Sequence, residues 1–187
     1  MLANRLKILL AERDLTIKDV MAATGLSRNS LSNMINNPFA NIATDNVDKL
    51  CNYLEVSPKD FYDYSGWRFA FAFDDDGDQP SVSVTMKSGK VVRTFQLLFT
   101  FNYLDSRDPH NNATDDFEIV TAKNPEGYDE TFVSAYKELS PLFKHQVEGE
   151  LVACAKKVLQ VYDDSGNVPC VFNYHYKDDV VFEAKLN

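Results

Sequence analysis

At 187 residues the chain is too long for one small domain and fits two, one of roughly 60 residues and one about twice that. Its 44% apolar content, with only 7 Gly and 7 Pro, is globular and excludes a disordered or fibrous polymer. The net charge of −9 is unevenly placed. Residues 1–64 hold seven Lys/Arg against eight Asp/Glu and residues 65–187 twelve against twenty, so the excess acid lies in the second part and does not exclude a phosphate-binding surface in the first.

No apolar run approaches the ~20 residues that span a bilayer, and Met1 to Leu10 carries Arg5 and Lys7 without a secretory cleavage pattern; a cytoplasmic protein is expected. Cys51, Cys154 and Cys170 are odd in number and widely spaced, which points to buried free thiols and not to a disulfide framework or a zinc knuckle.

The first part is periodic at helical spacing throughout. Leu6, Leu9 and Leu10 predict a first helix that runs to about Arg13. Thr16 can cap a second helix, with Val20 and Met21 turned to the core, which Gly25 ends. Ser27 caps a third, carrying Leu31, Met34 and Ile35, and Asn36-Asn37-Pro38 stops it. Thr44 is expected to cap a fourth, with Val47, Leu50, Cys51 and Leu54 on one side, before a last turn at Pro58 to Tyr62 and a short linker from Asp63 to Gly66.

From Trp67 the period changes from 3.6 to 2. Trp67, Phe69, Phe71 and Phe73 alternate with small or charged residues. After Asp74-Asp75-Asp76-Gly77-Asp78 a second run sets Val82, Val84 and Met86 against Ser81, Ser83 and Thr85, which predicts a hairpin. A third run puts Val91, Phe95, Leu97, Phe99, Phe101 and Tyr103 on one face, with Arg93 the exception, and a fourth covers Phe117 to Thr121. Helical spacing returns from Asp129 to Tyr162. Ser140-Pro141 opens its longer helix, whose stripe runs through Phe143, Val147, Leu151, Cys154, Val158 and Tyr162. Asp163 to Asn167 ends it, and two closing strands are expected at Val168 to Tyr176 and Val180 to Ala184. The predicted class is α + (α+β): a five-helix domain over 1–64, then an antiparallel-sheet domain over 65–187 with helices on one face.

Ile17 to Asn36 matches a twenty-residue pattern in which one glycine takes a left-handed turn and apolar residues at fixed offsets lock two helices together. Gly25 is the turn residue, and Val20, Leu26, Leu31 and Met34 fall at the core offsets. With its turn Ala22-Ala23-Thr24-Gly25-Leu26-Ser27, the segment resembles the helix-turn-helix of Cro and phage-repressor-type regulators, the XRE family, over about the first 64 residues. Met21 departs from the pattern, since the family usually has alanine there, so the interhelical packing is expected to differ slightly.

The resemblance implies a sequence-specific DNA-binding transcriptional regulator, a phage-type repressor, whose third helix enters the major groove of a double-stranded operator. The positions that reach base edges correspond to Arg28, Asn29 and Asn33. Arginine can pair bidentately with guanine and asparagine with adenine. Ser27, Ser30 and Ser32 are placed to reach bases or phosphates, and Asn36, Asn37 and Lys18 to hold the backbone. Arg5, Lys7 and Arg13 complete a meagre set of cations. So few charges imply weak binding by one copy, and hence a homodimer reading two half-sites, with the second domain as the natural source of the dimer contacts.

Other chemistries find little support in the sequence. The run Asp74, Asp76, Asp78 resembles the opening of a calcium loop, but Gln79 stands where glycine is needed and Thr85 where the bidentate glutamate belongs. His110, His145 and His175 show no metal spacing, and no His-Glu-x-x-His or Gly-x-Ser-x-Gly occurs. The Ala-Gly or Cys-Gly bond that self-cleaving repressors cut is absent from the sequence. Neither an enzyme nor a metal or other cofactor is therefore expected. The aromatic strands read as core, with a small-molecule or protein partner for the second domain left open. An alternative comes from phage proteins in which a similar autoregulatory helix-turn-helix is fused to a domain that inhibits a host CRISPR nuclease, whose nucleic-acid channel an acidic domain would suit.

Overall fold

The computed structural model describes residues 1–74, 80–103, 117–121, 128–162, 169–176 and 179–186. Asp75 to Asp78 of the expected hairpin turn, His110 and the stretch Asp163 to Asn167 expected to end the long helix lie outside them. The chain divides into two compact units, Met1–Gly66 and Trp67–Asn187.

The first unit runs β1 (Leu2–Asn4), α1 (Leu6–Ala11), α2 (Ile17–Thr24), α3 (Arg28–Asn36), α4 (Thr44–Leu54), α5 (Pro58–Phe61) and β2 (Tyr62–Tyr64). Each helix turns an apolar stripe inward. Leu6, Val20, Leu31, Leu50 and Phe61 are fully buried at the centre of the cluster. Side-chain caps fix where the helices begin. Thr16 and Asp19 form a reciprocal capping box at α2, Ser27 caps α3, and Ser57 caps the single turn α5 ahead of Pro58. Thr44 does not cap α4. Ala43 holds that position without a side-chain bond, and Thr44 is the first helical residue.

The all-helical reading of this unit needs a second correction. β1 pairs antiparallel with β2, Leu2 opposite Tyr64 and Asn4 opposite Tyr62. The ammonium group of Met1 donates to the Ser65 carbonyl, and the Ser65 N–H returns a bond to the Met1 carbonyl at 2.9 Å. Half of the expected linker, Asp63 and Tyr64, is thus strand. Three-residue strands are too short to display a period of two, so the sequence carries no sign of them.

The second unit holds a sheet of order β3 (Arg68–Asp74), β4 (Ser81–Ser88), β5 (Val91–Tyr103), β6 (Phe117–Thr121), β7 (Cys170–Tyr176), β8 (Asp179–Lys185), with α6 (Tyr128–Lys137) and α7 (Pro141–Tyr162) between β6 and β7. The layout is α+β, but the sheet is mixed and not purely antiparallel, because β6 and β7 run parallel, Ile119 beside Phe172. Both helices lie in that connection, the long crossover that a parallel pair requires.

The two helices cover one face. Val82, Val84 and Met86 of β4, Phe95, Leu97 and Phe99 of β5, and Phe172 and Tyr174 of β7 are buried there. Phe132 of α6 is the hub, its ring centroid 5.6 Å from Phe69, 6.0 Å from Phe95 and 5.7 Å from Tyr174. Phe143, Val147, Leu151, Cys154 and Val158 line the buried side of α7. Tyr162 ends the stripe in the open, stacked on Phe101 at 4.7 Å. Val91, assigned to the core face by its spacing, is exposed beside Val92 and Arg93, because this end of β5 is not covered. The opposite face exposes mostly small or polar residues, Ala70, Ala72, Thr94, Gln96 and Thr100, together with Val92 and Leu98.

A cavity of about 460 Å³ opens between α6, α7 and the β7–β8 pair, lined by Tyr136, Lys137, Lys144, Tyr176, Asp179, Val180 and Val181. All three cysteines are free and buried, and burial pushes the Cys51 and Cys154 thiols up from their ordinary values. No helix among the described residues is long and apolar enough to cross a membrane.

Candidate nucleic-acid interface

The turn between α2 and α3 is set by local hydrogen bonding. Gly25 takes the left-handed conformation, φ 70°, that closes α2, and its N–H donates to the Met21 carbonyl at 3.0 Å. The Thr24 hydroxyl donates back to the Val20 carbonyl at 2.7 Å and accepts the Leu26 N–H at 3.3 Å, tying the turn on both sides. Thr24 was not singled out from sequence. A threonine immediately before a turn glycine is the one signal that could have marked it.

Beyond the turn the Ser27 hydroxyl oxygen accepts the Ser30 N–H at 3.2 Å, which satisfies one of the open donors of α3. Leu31 and Met34 hold α3 to the core, joined by Val20 and Leu26 from the other side of the turn. Met21 is half-buried and packs against the edge of the core.

At 100° per residue, Asn29, Asn33 and Asn36 fall on the side of α3 opposite Leu31 and Met34, and all three are exposed. Arg28, exposed, and Ser32, half-buried, flank that stripe. Ser30 lies on the far flank, half-buried, and its backbone is taken up by the cap. Ser27 is exposed at the helix start and Lys18 at the start of α2. Asn37 ends α3, with its Oδ1 accepting the Phe39 N–H at 3.1 Å, so its side-chain acceptor shapes the following turn. The structure thus gathers Arg28, Asn29, Ser32, Asn33 and Asn36 on one surface and sets Ser30 at its margin.

Two of the expected cations are engaged elsewhere. Arg5 donates to the Asp60 carbonyl at 3.1 Å and approaches Glu12, while Arg13 donates to the Leu9 carbonyl at 3.2 Å and stands 3.5 Å from Glu12. Lys7, Lys18 and Arg28 are exposed and in no ion pair among the described residues.

Asn4 also contributes, without standing in the helix-turn-helix pattern. It is 2% exposed, and its Nδ2 donates to the carbonyls of Met34 at 3.2 Å and Pro38 at 3.0 Å. Its Oδ1 accepts the Leu6 N–H at 3.1 Å, in place of a cap that Arg5 does not supply. One side chain therefore starts α1 and holds the end of α3. An asparagine two residues before an apolar helical stripe is the signal that could have been read.

Residues 5–66 match the family model of the Cro/C1-type HTH DNA-binding domain. The first unit is a Cro/C1-type helix-turn-helix domain. That match supports a DNA-binding regulator, and it ends where the second unit begins. No curated protein and no solved structure matches the chain. Within the Cro/C1-type domain, the Gly25 turn and the buried Val20, Leu26, Leu31 and Met34 are the framework, and the polar side of α3 is the surface the framework leaves bare.

Proposed function

We propose that the chain is a sequence-specific transcriptional regulator, a phage-type repressor, that binds its operator as a homodimer. α3 enters the major groove, where Arg28, Asn29 and Asn33 meet base edges, and each good bidentate pair discriminates by roughly 1–3 kcal/mol. Ser27 and Ser32 contact bases or phosphates, with Ser30 reaching only the near backbone. Lys18, Asn36 and Asn37 hold phosphates and set the register. The observation that carries this reading is the exposed stripe Asn29, Asn33 and Asn36, directly opposite the buried Leu31 and Met34. Three asparagines there serve no packing purpose, and their amides have the donor and acceptor pair that adenine presents.

The homodimer follows from charge. With Arg5 and Arg13 held by neighbours, few cations remain for phosphates, and phosphate contacts supply most of the affinity for DNA. Two copies on adjoining half-sites double the set. The second unit supplies the dimer contacts and has a cavity between α6 and the β7–β8 pair suited to a small effector.

A gel shift against the DNA upstream of the protein's own gene tests the assignment. Arg28→Ala, Asn29→Ala and Asn33→Ala are each expected to weaken specific binding with unchanged circular dichroism. Wild-type affinity in all three overturns the groove assignment.

A further inference from the structure

The two edges of the six-stranded sheet are built differently. β8 bears Asp179, Glu183 and Lys185 exposed along its length, and its pairing with β7 is broken by a register shift at Tyr174/His175. Charges and bulges of this kind keep a sheet edge from pairing with another chain. β3 has neither. It pairs with β4 in unbroken register from Arg68 to Asp74, and the five residues between those ends, Phe69 to Phe73, carry no charge. Among the described residues no strand lies on its outer side.

The side chains of β3 add a second sign. Phe69, Phe71 and Phe73 face the helices yet remain half-buried, whereas Val82, Val84 and Met86, one strand further in, are completely buried. Three aromatic rings on the rim of a core lack the cover that one more strand would provide. On the helix-free face the alternating residues are Ala70 and Ala72, too small to hinder an approaching backbone.

We propose that the occupant of this edge is a second copy of the chain, with β3 paired antiparallel to β3 about a two-fold axis at Phe71. In that register Arg68 stands opposite the partner's Asp74 at both ends, so the two charged residues of the strand become complementary across the axis. Ala70 stands opposite the partner's Ala72, and Phe69 opposite the partner's Phe73. The rings then cover one another, and the two sheets become continuous with the helices of both copies on the same side. The inference rests on the homodimer reading and assigns the surface that carries it.

Sedimentation of the full chain tests both readings separately. Wild type is expected to be dimeric at micromolar concentration. The double variant Ala70→Lys/Ala72→Lys sets lysine against lysine at both central pairs on the exposed face, and is expected to raise the dimer dissociation constant at least about tenfold with unchanged circular dichroism. Register is read by cross-linking. Ala70→Cys/Ala72→Cys is expected to form an intermolecular disulfide under mild oxidation. Either cysteine alone, about 7–8 Å from its own mate on the diagonal, gives far less. A dimer that tolerates the lysines and does not cross-link overturns the β3 assignment and leaves the homodimer standing on another surface. A wild-type monomer overturns both.

Discussion

In Met1–Gly66 the nine residues of α3 are divided lengthwise, with Leu31 and Met34 in the core and Asn29, Asn33 and Asn36 on the surface. In Trp67–Asn187 the same division falls on a whole sheet, one face covered by α6 and α7 and the other left mostly to small and polar side chains. The helix starts and the turn of the first unit are set by bonds between residues two to four apart, such as Thr16 with Asp19, Thr24 with Val20 and Ser27 with Ser30. The sheet unit draws its geometry from contacts across the chain, as where Phe132 meets Phe69 and Tyr174. A surface built on local bonds can be altered one residue at a time. A core built on distant contacts fails through its hub.

The strongest way to break the contrast is at the hubs themselves. Phe132→Ala removes the ring on which β3, β5 and β7 converge and is expected to cost about 3–5 kcal/mol in the second unit. Leu31→Ala is expected to cost about 2–5 kcal/mol in the first. Amide hydrogen exchange should confine each loss to its own unit, and protection lost in both from either change would make the chain one cooperative body.

On the DNA-facing side, Arg28→Ala, Asn29→Ala and Asn33→Ala should each lose about 1–3 kcal/mol of operator affinity while unfolding free energies stay within about 0.5 kcal/mol of wild type. A stability loss that matches the affinity loss would show that the surface is not separate from the core. Gly25→Ala forces a side chain into the left-handed region and should cost about 1–2 kcal/mol by denaturant titration, although its Cβ would meet open space.

The caps give the finest discrimination. Thr16→Ala should cost about 1 kcal/mol and Thr44→Ala much less, because only Thr16 accepts a backbone N–H. The capping box also has a pH signature. Hydrogen bonds from Thr16 hold the Asp19 carboxyl below its ordinary value, so the stability it contributes is complete above the unfolded-state pKa and is lost as pH falls through the folded-state one. Asp19→Asn should flatten that acid limb in a pH series of thermal melts.

The local bonding also explains what was legible in the sequence. Gly25, Thr16 and Ser27 announce their roles through residue type alone, since few residues accept a positive φ or offer a short-reach oxygen. The stripe through Phe143, Val147 and Leu151 and the alternation of Val82, Val84 and Met86 were equally plain, because burial on one side imposes a period. The β1–β2 ribbon was not legible, its strands being shorter than the repeat that would reveal them. Neither was the parallel pairing of β6 with β7, since alternation fixes which way side chains point and not which neighbour lies alongside. In the candidate interface, Asn29, Asn33 and Asn36 are exposed on the side of α3 away from Leu31 and Met34, as the helical period alone implies. The engagement of Arg5 and Arg13 depends on backbone carbonyls brought near by folding, which no spacing rule encodes.

Asn4 links the ribbon to the candidate interface. β2 is the last element of the first unit, its partner β1 ends at Asn4, and Asn4 grips the Met34 and Pro38 carbonyls where α3 finishes. Ser65 is therefore tied to the trailing end of α3 through two short strands and the Asn4 side chain, reinforced by the Asn4 N–H that donates to the Pro38 carbonyl at 2.7 Å. The segment leaving the domain is thus fastened to the helix proposed to read DNA, with Asn4 as the shared anchor.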